Sequence, residues 1–79
     1  MVTQEETDRA RARYEKATRE ATEALRLFER RLEGVTTLQD PEIMIAFNRY
    51  DEASVRAQKL FAEFCRLMDE QYAELLKGR

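Results

Sequence analysis

Along the first half of the chain the positions Thr7, Ala10, Tyr14, Ala17, Ala21, Ala24 with Leu25, Phe28 and Leu32 recur at intervals of three and four, between mostly charged residues. That interval is the repeat of one face of an α-helix. In the second half the apolar pattern is wider, with three neighbouring columns at heptad spacing. Ile43, Tyr50, Ala57 and Phe64 form the middle column, with Ala46, Ala53, Leu60 and Leu67 on one side of it. Phe47, Ser54, Phe61, Met68 and Leu75 lie on the other side. One partner helix covers a narrow seam, so the width of this stripe exceeds what the first helix can bury.

The ends of both helices are written in local signals. Thr3-Gln4-Glu5-Glu6 has the form of a capping box, in which the Thr hydroxyl accepts from the backbone N–H three residues on. No Gly or Pro interrupts the chain from there to Glu33, and Gly34 stands where a left-handed residue would close a helix, with Val35 placed to pack back over the last turn. Asp40-Pro41-Glu42 is a second start: an N-cap, a Pro where its missing N–H is harmless, and an acid at the positive end of the dipole. The reading is one domain, an all-α antiparallel two-helix hairpin, with helix one over about residues 4–33, a loop over 34–40 and helix two over about 41–77. A hairpin closing near residue 37 pairs positions whose numbers sum to roughly 75. Phe28 then meets Phe47, Ala21 meets Ser54, Tyr14 meets Phe61 and Thr7 meets Met68.

The two sides of that seam are unequal at its open end. Leu60, Phe61, Phe64, Leu67, Met68, Tyr72 and Leu75 face only Thr3, Thr7, Ala10 and Tyr14, so the excess predicts a homodimer joined through helix two into a four-helix bundle, mainly at Leu60, Phe61, Phe64, Leu67, Met68 and Leu75. A second excess is the unbroken run from Ile43 through Met44, Ile45 and Ala46 to Phe47, which is apolar on every side of the helix. In one reading Val35 and Leu38 of the loop fold over this turn and the rest is dimer core. Otherwise Ile43, Met44, Ile45 and Phe47 form a docking patch for another protein, centred on Met44 and Ile45. Ser54, Gln71, Thr18 and Thr7 are polar residues in or beside the seam and candidates for contacts that set register. The small residues Ala17, Ala21 and Ala24, facing Ala53, Ser54 and Ala57, either bring the helices close at mid-length or leave a groove there.

Composition then trims the functional classes. The chain has 79 residues, no His, no Trp and one Cys, which removes the usual general base and leaves no thiolate cluster or internal disulfide. The inward stripes carry almost no acid before Glu74, so a bundle metal site is not expected; no catalytic residue, cofactor or metal is assigned. Cys65 lies at the edge of the apolar face and is expected to be a buried or half-buried thiol. The polar, acidic start and the absence of a long apolar run point to a cytoplasmic protein with no membrane partner.

Fourteen basic against sixteen acidic residues give a net charge of −2, which offers no bulk attraction to nucleic acid. The one local exception is Arg9, Arg13, Lys16 and Arg19 in helix one, of which the first three fall on one side of the helix. Helix one as a whole still balances eight basic with eight acidic residues. The expected function is therefore a non-enzymatic protein–protein interaction module, an adaptor, small chaperone or assembly subunit acting as a homo-oligomer. A small nucleic-acid-binding regulator using that basic face is the alternative.

Overall fold

In a computed structural model, which describes residues 1–33 and 40–78, the chain forms two long α-helices laid side by side and antiparallel. They are α1, Gln4–Leu32, and α2, Pro41–Lys77, and the molecule measures 62 × 15 × 13 Å. Among the described residues there is no strand.

The helix starts follow their local signals. Thr3 is extended and its hydroxyl accepts from the Glu6 N–H at 3.1 Å, while Asp40 caps α2 by accepting from the Glu42 N–H at 2.9 Å. Each cap satisfies a donor that has no partner inside its helix. Pro41 occupies the first turn of α2, and Arg30 and Arg31 lie in the last turn of α1, where the dipole favours positive charge. The first helix closes at Leu32, one residue short of the expected end. Glu33 turns extended and its N–H donates to the Arg30 carbonyl at 3.2 Å, a tighter bond that ends the α-helical ladder. The expected left-handed Gly34 and the packing of Val35 and Leu38 lie outside the described residues.

Packing follows the anticipated pairing over most of the length. The rings of Phe28 and Phe47 lie 5.6 Å apart and those of Tyr14 and Phe61 4.9 Å, with Phe64 also 5.9 Å from Tyr14. Every member of the α1 stripe named above is buried or half-buried. On α2 the seam takes Ile43, Ala46, Tyr50, Ala53, Ala57, Leu60, Phe64, Leu67, Gln71 and Glu74, alternating three and four throughout. Thr7 thus departs from the expected pair. It meets Gln71, whose side-chain oxygen accepts from the Thr7 hydroxyl at 3.0 Å, while Met68 is turned out. Nearby, Gln71 donates to the Gln4 side chain at 2.9 Å, and the Val2 N–H donates to Glu74 at 3.4 Å. A hydroxyl drawn into a seam needs a polar partner, and Gln71 supplies one where a thioether would not.

The core is thin. Only Ala10, Ala17, Ile43 and Thr7 are buried among the described residues, and no side chain is sealed from solvent completely. Two rows of side chains with a shared seam have one layer to pack and nothing behind it.

Candidate interaction surface

The seam divides the hairpin into two flanks of different chemistry. On one, charges run along the whole length. Arg56 reaches across to Glu20 at 3.6 Å, Arg31 meets Glu42 at 2.6 Å, and Arg66 binds Glu63 and Glu70, each at 2.6 Å. The Arg66 guanidinium, helped by Arg13 on the facing helix, holds the Glu63 carboxyl below the ordinary carboxylate range. In return the paired carboxylates raise the Arg66 pKa, so that side chain stays charged.

The candidate nucleic-acid contacts fall partly on this flank. Arg9 and Arg13 border a recess shared with Glu6, Glu63 and Arg66, and Arg13 and Lys16 border the next one with Glu20 and Arg56. Arg9 is already bound to Glu5 at 2.7 Å, and Arg19 is exposed on the outer side of α1. The structure therefore brings three of the four bases together, interleaved with acids from both helices.

The other flank is apolar at both ends. Near the loop it presents Met44 and Phe47; toward the open end it presents Phe61, Met68, Tyr72 and Leu75, between 41% and 65% exposed. Of the six interface candidates, Phe61, Met68 and Leu75 belong to this surface. Leu60, Phe64 and Leu67 are half-buried within the hairpin. The run at the start of α2 is divided in the same way: Ile43 is 3% exposed and faces α1, while Met44 and Phe47 lie on the apolar flank. Ile45 lies on the charged flank, in a small recess with Leu27, Arg31, Glu42 and Arg49.

Cys65 is exposed, a correction to the expected half-buried thiol. The seam passes through Phe64 and Leu67, and one residue on from Phe64 the helix has turned by about 100°, which carries Cys65 out onto the apolar flank. Tyr72 joins that surface one turn beyond Met68. Its signal in the sequence is its spacing of eleven from Phe61 and four from Met68, the continuation of a second helical stripe.

At mid-length the same flank is hollow. A groove of about 320 Å³ is lined by Tyr14, Thr18, Ala21, Thr22 and Leu25 of α1 and Tyr50, Ser54, Ala57, Gln58 and Phe61 of α2. The alanine-rich waist leaves a trough rather than drawing the helices together along its whole width. The Thr18 and Thr22 hydroxyls donate to the Tyr14 and Thr18 carbonyls, both at 2.9 Å. Their hydrogens are committed to the helix, so the trough is less polar than its residue names imply. Among the described residues no group of three His, Cys, Asp or Glu is placed to hold a metal ion, and no helix is long and apolar enough to cross a membrane. The chain matches no protein-family model, no curated protein and no solved structure.

Proposed function

We propose that this protein is a non-enzymatic protein–protein interaction module of the cytoplasm, an adaptor, small chaperone or assembly subunit that works as a coiled-coil homo-oligomer of hairpins. The carrying observation is the contrast between a core of four residues among those described and a flank on which Phe47, Phe61, Met68, Tyr72 and Leu75 stand more than two-fifths exposed. Each large apolar side chain left in water forgoes roughly 1.5–3 kcal/mol of burial. Phe61, Met68, Tyr72 and Leu75 cluster at the open end, and such a cluster, rather than scattered single residues, is what marks an interaction site. Light-scattering mass after size exclusion, under reducing conditions and over a range of concentration, tests the reading. The expected result is a mass of two chains, near twice 9.4 kDa, that persists on dilution. A folded monomer at every concentration overturns it.

A second reading, a nucleic-acid-binding regulator, draws on one observation: Arg13, Lys16 and Arg56 converge on a single recess, with Glu20 as the acid among them. Mobility shift at low salt separates the two. Binding that is lost when Arg9 and Arg13 are both changed to Glu supports the regulator, and no binding at low salt removes it.

A further inference from the structure

Two hairpins have a choice of two flanks and two relative directions. The charged flank offers any copy of itself mixed ion pairs that are already made within the hairpin, so association there would gain little. The other flank carries a second stripe beside the seam. Its ends are apolar, Met44 with Phe47 and Phe61 through Leu75, and its middle is polar or small at Asp51, Ser54 and Gln58.

We propose that a second copy of this chain occupies this flank, antiparallel to the first, with the two-fold axis passing near Gln58; the inference rests on the homo-oligomeric reading above. Area gives the first argument. The hairpin exposes 6509 Å², against about 5000 Å² for a compact monomer of its mass. A standard interface removes about 800 Å² from each partner, so one flank per copy takes up about half of the excess.

Relief gives the direction. In a parallel pair every feature meets itself: Phe61 opposes Phe61, and the hollow waist faces the hollow waist along its whole length, leaving two troughs of about 320 Å³ unfilled, whereas an antiparallel pair offsets the troughs so that they overlap only over part of their length. Close-packed interfaces do not keep such voids. In the antiparallel pair an axis near residue 58 brings together positions whose numbers sum to about 116, by the regular rise of the helix. Phe61 of each copy then comes over the partner's trough, Met68 reaches the partner's Phe47, and Tyr72 reaches the partner's Met44. Apolar ends cover apolar ends in either direction, so it is the seating of Phe61 over the partner's trough that favours the antiparallel one.

Single-cysteine oxidation at low micromolar concentration tests this, alongside the mass measurement. The probes are the native chain, whose only thiol is Cys65, and a Gln58→Cys variant in a Cys65→Ser background; both substitutions fall on exposed positions. Mild oxidation is expected to convert the Gln58→Cys chain to a covalent dimer on a denaturing gel and to leave the native chain uncrosslinked. In the antiparallel pair the two Cys65 residues are separated by fourteen helical steps, about 21 Å, beyond the roughly 7 Å between Cα atoms that a disulfide tolerates. An oligomer in which Cys65 crosslinks as fast as Cys at position 58 overturns the direction, and an oligomer in which neither crosslinks overturns the choice of flank. Both results leave the homo-oligomeric reading standing, whereas a monomer by mass overturns the two together.

Discussion

Ala17 and Thr7 show how little material holds the hairpin closed. At 4% exposure Ala17 sits where the helices touch, and nothing larger fits without pushing them apart. Ala17→Leu is expected to cost about 1–3 kcal/mol by overpacking, read as a lower urea midpoint. Ala12→Leu, on the exposed side of the same helix, should leave the midpoint nearly unchanged. Thr7 is 2% exposed and shares its hydroxyl hydrogen between the Thr3 carbonyl at 3.2 Å and Gln71 at 3.0 Å. Thr7→Val keeps the shape and removes both bonds, for about 1 kcal/mol. In a domain of this size that is a fall of about 4–8 °C in Tm, measured by circular dichroism. The α1 stripe that contains both residues is legible in the sequence because most of its neighbours are charged. The partner of Thr7 is not: Met68 and Gln71 are both within reach of it, and hydrogen bonding decides between them.

At the scale of the helix, starts and stops are the readable part. Thr3 and Asp40 cap where their side chains and the residues after them imply, since a cap involves only a few consecutive residues. The stripe of α2 is less readable, because three apolar columns compete for a seam with room for two. The surface of α2 also holds its own pH dependence in the Glu63–Arg66–Glu70 cluster. The Glu63 carboxyl titrates below its ordinary value in the folded chain, so its contribution to stability is complete above the ordinary carboxylate range and is lost as the pH falls through the lowered one. Glu63→Gln is therefore expected to melt below the native chain at pH 7 and to converge with it once the pH has fallen through the lowered carboxylate range. Both side chains are exposed, and the difference at pH 7 should be correspondingly small.

For the whole molecule, the division of α2 between inside and outside separates folding from assembly. Phe64 packs 5.9 Å from Tyr14 in the seam, whereas Phe61, although it touches Tyr14 at 4.9 Å, is 41% exposed on the apolar flank. Phe64→Glu places a charge within the hairpin and is expected to lower helicity and melting temperature together. Phe61→Glu is expected to keep most of the helical signal at low temperature while the light-scattering mass falls to one chain. Equal loss of helicity in the two variants would mean that the hairpin does not form apart from its partner, and the comparison is made at matched concentration for that reason.

The sequence by itself determined two helices, their capped starts, their antiparallel order and the inner stripe of α1. These depend on hydrogen bonds and side-chain periodicity within a few residues, and such short-range terms are complete in the local sequence. Only the tertiary structure decided how α2 is rolled against α1: which two of its three apolar columns enter the seam, that Gln71 rather than Met68 answers Thr7, and that Cys65 faces outward. It also decided that the small waist leaves a trough. A helix rolls to the angle at which many weak contacts are jointly best, and that optimum belongs to the pair of surfaces rather than to any stretch of chain.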